Sequence, residues 1–198
     1  MIAHLKGKLV HKEAAQVIIE ANGIGYQVQI PLSTYTALEN TEECKIFTHL
    51  VVREDAHLLF GFFTMLEKMV FLDLIGISGV GPSTGLMALS SLKPSEIKKA
   101  IATEDVKMVQ SIKGVGAKTA QRIVLELKDK YQKEGILQDN ETESLNSNYN
   151  SLKEEALKAL VTLGINKNAA EKSINQILKK NPENITLESL IKLALKSY

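Results

Sequence analysis

The sequence predicts a multidomain α+β protein, built from strands at its front and from helices over the rest. Three observations predict this. Apolar and polar residues alternate up to residue 62, whereas apolar residues recur at helical spacing from Met65 onward. A short phrase, Ile-x-Gly-Val-Gly, stands at 77–81 and again at 112–116, an offset of 35 from Gly79 to Gly114. The stretch 135–151 then loses its periodicity before helical spacing returns.

Residues 1–63 are expected to form the barrel. Runs rich in Val and Ile at Lys6 to Lys12, Gln16 to Glu20 and Tyr26 to Ile30 alternate as half-buried strands do, and Asn22-Gly23 is a hairpin turn signal. A short helix, Ser33 to Leu38, follows Pro31, and Lys45 to Val52 with His57 to Phe62 make another antiparallel pair. Five or six short strands and one small helix suit a small closed barrel such as the OB-fold. At the tip of the last hairpin, between LVV and LLF, Arg53-Glu54-Asp55 sets two adjacent carboxylates in solvent. On residue type alone this is an ordinary charged hairpin tip, and the alternative is a negative probe that repels phosphates.

Residues 64–134 read as helical. The segment MLEKMVFLDLI from Met65 leads into the first phrase, and Ser83 to Leu92 follows it. Further helices are expected from near Ser95 through Ile101, from Glu104 to Ile112, and from Lys118 to about Lys133. Two glycines around one apolar residue, just before a helix, make a tight turn whose bare N–H groups and helix dipole both favour an anion. Gly79, Gly81, Gly114 and Gly116 lack the Cβ that would keep a phosphate away, while Val80 and Val115 are placed to anchor the turns. Helix, Gly-x-Gly turn and helix, repeated, is the helix-hairpin-helix arrangement, which grips DNA through its phosphates and so without regard to base sequence. GVGAKT resembles the end of a nucleotide-binding loop, but the glycines that motif requires fall on Ile112 and Ala117. Lys118 and Arg122, one helical turn apart, are placed to reinforce the second phrase, and Ser83 and Met87 stand at the matching positions of the first. The second copy is therefore expected to carry more of the salt-dependent affinity.

Charge follows the same division. The net charge of +1 conceals five Lys/Arg against seven Asp/Glu in 1–62, ten against five in 93–133, and none against four in 134–151. The basic middle favours a polyanion, and the acidic stretch after it is repelled by one. Residues 135–151, full of Asn, Ser and acidic groups, are a flexible linker by composition. Residues 152–198 follow as a compact three-helix, UBA-like unit: LKEEALKALVTLG with a stop at Gly164, then Asn168 to Lys179, then Thr186 to Ser197. Leu160, Leu163, Ile165 and Leu195 belong either to its core or to a docking surface.

No apolar run approaches the ~20 residues that a membrane-spanning helix needs. The single cysteine, Cys44, allows no intrachain disulfide and fits a reducing cytoplasm. Histidines 4, 11, 49 and 57 lack ligand spacing, so neither a metal, nor a cofactor, nor a catalytic site is expected.

The segments MIAHLKGKLV, NGIGYQVQIPLST at 22–34, FTHLVVREDAHLLFGF at 47–62, the doubled Gly-Val-Gly and EALKALVTLG at 155–164 together resemble the RuvA family across the whole chain. The resemblance implies a Holliday-junction-binding subunit of the bacterial branch-migration machine, a four-fold tetramer that pairs in some members into an octamer. It implies that Glu54 and Asp55 are an acidic pin at the junction centre. It further implies that the residues of both glycine phrases, with Lys118 and Arg122, clamp phosphates, and that Leu163, Ile165 and Leu195 dock the RuvB hexameric ATPase, with the RuvC resolvase as a further partner. This sequence departs from the family pattern at Ser83, where a lysine is usual, and at Gly85, where alanine is usual. Readings from other classes are a generic OB and helix-hairpin-helix DNA-binding scaffold, or a non-catalytic subunit of a nuclease.

Overall fold

A computed structural model describes residues 1–39, 41–139, 147–180 and 185–196 of the chain. They divide into two compact units, 1–135 and 136–198. The first begins as a closed five-stranded barrel of β1 (His4–Glu13), β2 (Gln16–Ala21), β3 (Ile24–Gln29), β4 (Glu43–Val52) and β5 (His57–Phe62), ordered β1-β2-β3-β5-β4 and closed by β4 on β1. The β2–β3 turn is the expected Asn22-Gly23, both residues at positive φ. Helix α1 (Leu32–Ala37) follows Pro31, and the barrel interior is filled by Val17, Ile19, Val28, Ile30 and Ile46. Strand-to-helix order is that of an OB-type barrel.

The last strand does more than close the barrel. Phe60 and Phe62 are fully buried against Phe71 of α2 (Met65–Ile75), with ring centroids 5.4 and 4.7 Å apart, so the last strand joins the helical core while the barrel keeps a core of its own. Polar groups reinforce that seam. Buried Glu67 closes a capping box with Thr64 and accepts a 2.6 Å bond from Ser33 Oγ of α1, giving its carboxylate hydrogen-bond partners in a buried place. Lys68, also buried, donates to the Ala3 carbonyl. His49 lies edge-on to Phe71 with its Nδ1 unpartnered among the described residues, and burial together with nearby Lys68 holds its pKa below the usual imidazole value.

Helices α3 (Pro82–Ser91), α4 (Pro94–Ala102), α5 (Val106–Gln110) and α6 (Ala117–Asp139) complete this region. The expected helix from Glu104 to Ile112 is shorter, because Glu104 takes a positive φ and Asp105 caps the chain onto Met108 before α5 starts. Helix α6 runs past Lys133 into the segment expected to be a linker, and α7 (Ser147–Thr162) begins inside it, leaving 140–146 outside the described residues. The second unit is formed by α7, α8 (Lys167–Lys180) and α9 (Leu187–Lys196) around Ala156, Leu160, Ala170, Ile174, Leu190 and Ala194.

Candidate nucleic-acid interface

Both glycine phrases form the same turn. Ile77 and Ile112 are buried at the start of each, and Val80 and Val115 are buried in the middle. The amide of Val80 donates to the Ile77 carbonyl at 3.0 Å, and that of Val115 to the Ile112 carbonyl at 3.0 Å. The valines thus anchor the turns and spend their own N–H groups doing so. Gly79 and Gly114 sit at φ +93° and +89°, which an L side chain takes only under strain.

The second glycine of each phrase has a different reason for being there. Gly81 precedes α3 in an ordinary extended conformation, φ −88° and ψ 168°, and a Cβ built on it or on Gly116 meets nothing within 4 Å. Among the described residues nothing demands a glycine at either place. What these residues leave is open space directly over the first turns of α3 and α6, whose leading amides have no side-chain cap at Gly81. Bare donors at a helix N-terminus, with no side chain in front of them, form a seat for an anion.

The turns are interlocked across the offset of 35. Met87 and Thr84 of α3 approach the second turn, with Met87 Cε 3.1 Å and Thr84 Oγ1 3.7 Å from where a Cβ on Gly114 would lie. At the position matching Met87, Arg122 of α6 crosses the other way: its Nη1 donates to the Ser78 carbonyl of the first turn at 3.4 Å, while Nε pairs with Glu126 at 3.1 Å. Helical spacing predicts that Arg122 reinforces its own, second turn, and the structure places its guanidinium at the first. Packing direction is the reason, since spacing fixes which face a residue occupies but not which neighbour that face meets. Lys118 is exposed at the start of α6, without an ion-pair partner among the described residues.

Gly85 has a structural explanation. A Cβ there would lie 2.9 Å from Phe71 and 3.2 Å from Ile75, so α3 meets α2 at a distance only glycine permits. Helix α6 is fastened differently. Tyr131 donates a 2.8 Å bond to Asp73 of α2, Lys130 pairs with the same carboxylate, Lys98 of α4 pairs with Glu134 at 2.7 Å, and Lys128 reaches Glu104 at 2.6 Å. Burial and the Asp73 charge push the Tyr131 phenol pKa well above its usual value.

The remaining candidates lie apart from the turns in sequence. Glu54 and Asp55 stand exposed at the tip of the β4–β5 hairpin, which an Arg53 N–H to Ala56 carbonyl bond of 2.8 Å closes, and neither side chain has a partner among the described residues. In the second unit, considered by itself, Leu163 is 62% and Leu195 42% exposed, whereas Ile165 packs on the edge of the core. Val161 and Leu193, which the sequence does not single out, are also more than 40% exposed. Their spacing is that of core positions and carries no signal to separate them.

Comparison with known proteins bears on the whole chain. Residues 1–61 match the family model described as RuvA N terminal domain, residues 71–129 a SAM-like helix-hairpin-helix tandem, and residues 151–197 the RuvA C-terminal domain. This chain belongs to the RuvA family. Relatives named "Holliday junction branch migration complex subunit RuvA" include that of Cytophaga hutchinsonii, 50% identical over 197 residues and 99% of each chain. That of Christiangramia forsetii is 52% identical over 196 residues, again 99% of each chain, and that of Flavobacterium psychrophilum 46% identical over 197 residues and all of both chains. The RuvA architecture expected from the sequence, barrel then tandem hairpins then a small helical unit, is thus the one observed. Among the described residues no group of His, Cys, Asp and Glu is arranged to hold a metal ion, and no helix is long and apolar enough to cross a membrane.

Proposed function

We propose that this protein binds four-way DNA junctions by shape rather than by sequence, holds them open, and serves as the DNA-holding subunit of a branch-migration complex. The observation that carries the reading is the pair of turns whose second glycines, Gly81 and Gly116, leave bare helix N-termini with open space for 4 Å around a Cβ position. Backbone amides read phosphate and not base, which suits a complex that must move along any sequence. Two such turns, interlocked, would grip neighbouring phosphates of one duplex arm.

Four copies around a junction would supply a grip on each arm. Self-association is supported by the start of α2 and the residue pair before it, where Phe63, Met65, Leu66 and Met69 are 40 to 47% exposed although Val70, Phe71 and Leu74 already fill the core. Glu54 and Asp55 then act at the centre as a pin, repelling phosphates and keeping strands apart. Leu163 and Leu195 of the C-terminal unit, with Ile165 beside them, dock a RuvB-type hexameric ATPase, which supplies the work that this chain cannot.

Binding to a synthetic four-way junction and to linear duplex, compared by gel shift, tests the pin. The double variant Glu54→Gln/Asp55→Asn is expected to bind the junction as tightly or more tightly, with altered preference over linear duplex and altered migration with the motor. An unchanged preference would sink the assignment.

A further inference from the structure

We propose that Arg122, although it belongs to the second helix-hairpin-helix, supplies the cation of the first phosphate seat. The inference rests on the phosphate-clamp reading above. The first turn has no cation of its own. Ser83 and Met87 occupy the positions where the second turn has Lys118 and Arg122, and Pro82 at the first helical position contributes no N–H where the matching Ala117 has one. Yet a guanidinium stands at that turn, because Arg122 reaches across to the Ser78 carbonyl at 3.4 Å. Such a bond is long and contributes little by itself. Its significance is placement, since it holds a permanent positive charge at the residue before Gly79, within the same turn that leads into Gly81 and α3.

Another nitrogen of the same guanidinium, Nε, is steadied by Glu126 at 3.1 Å. The guanidinium carries more N–H groups than these two contacts use, so it can hold the Ser78 carbonyl and still donate to a phosphate oxygen. Arg122 and Glu126 are both about half exposed, which leaves the pair able to re-orient when an anion arrives. The exchange is asymmetric. At the matching position the uncharged Met87 packs over the second turn, which has Lys113 and Lys118 as its own cations. One arginine thus ties the two seats together: it is built into one motif and serves the other.

A double-mutant cycle on the full-length protein decides this. Gly81→Val and Gly116→Val each place a side chain in space that is open in the fold, blocking one seat at a time without strain from a positive φ. Arg122→Gln is measured alone and with each, by affinity for a four-way junction and by its salt dependence, with thermal melts as the control on folding. Arg122→Gln is expected to weaken binding several-fold and to reduce the salt slope by about 0.9, the value for one phosphate contact. Its effect should persist in the Gly116→Val background and largely vanish in the Gly81→Val background. If the effect vanishes instead in the Gly116→Val background, persists in both, or leaves the salt slope unchanged, the assignment is overturned while the clamp reading stands. If Gly81→Val and Gly116→Val themselves leave junction binding intact, both fall.

Discussion

The two glycine phrases are nearly the same in sequence and differ in how they are held. The first turn is set by apolar contact: α3 lies so close to α2 that only Gly85 fits against Phe71. The second is anchored by apolar contact too, through Val115 and the buried face of α6, and the far end of α6 adds polar ties, where Tyr131 and Lys130 hold Asp73 and Lys98 holds Glu134. The first turn presents fewer donors, with Pro82 and Ser83 where the second has Ala117 and Lys118. A duplicated motif, then, need not divide its work equally. One copy is poor in charge and the other rich in it, and Arg122 of the second places its guanidinium at the first.

Stability should separate the turns most strongly. Gly79→Ala and Gly114→Ala both force an L residue into left-handed backbone, at a cost of roughly 1–2 kcal/mol. Only Gly114→Ala also drives a methyl to 3.1 Å from Met87 Cε. Gly114→Ala should therefore lower the urea midpoint more than Gly79→Ala, and Met87→Ala should recover part of the difference. Equal losses at the two sites would show that the contact with Met87 is not restrictive.

A more modest change tests the polar fastening. Tyr131→Phe removes a buried hydrogen bond to Asp73 and should cost about 1 kcal/mol. The folded pKa of Tyr131 lies above its unfolded value of about 10, so its contribution is fully present below pH 10 and is lost as the pH rises further. The wild-type protein should consequently lose stability above pH 10 more steeply than Tyr131→Phe, as measured by denaturant titration across that range. Parallel alkaline limbs would mean that Tyr131 is not the group that titrates.

Least in size is the change at Lys118 and its counterpart. Lys118→Ala should flatten the salt slope of junction binding by about 0.9, and Ser83→Lys should steepen it by a similar amount. If Ser83→Lys changes nothing, Arg122 already occupies the place that a lysine there would fill.

Much of the fold is legible in the amino-acid pattern. Alternation in GYQVQ and HLLFGF, the Asn22-Gly23 turn and Pro31 place strands and α1 within a residue or two. Helix α5 is overextended by the same reasoning, because apolar spacing from Val106 to Ile112 does not reveal that Ile112 belongs to the next turn. Of the candidate site, the glycines, Lys118 and the Glu54-Asp55 tip are visible as residue types in a telling context. Val80 and Val115 are visible too, but not that their amides are consumed within the turn. The exposure of Leu163 and Leu195, against the partial burial of Ile165, is not visible, since all three are apolar residues near helix ends.

Local chemistry follows from the order of the residues alone: which of them turn, which alternate, where helices start, and that two Gly-Val-Gly turns each lead into a helix. Those properties depend on neighbours within a few positions, through backbone freedom and side-chain period. Assembly settles the rest: Phe60 and Phe62 bind the barrel to the helices, Gly85 admits Phe71, and Met87 and Arg122 cross to each other's turns. Each of these joins residues from different elements, and which side chains meet there is set by the angle and distance at which whole elements pack. No local pattern encodes that angle, so the placement of Arg122 at the first turn is a property of the packed helices and not of the motif that contains it.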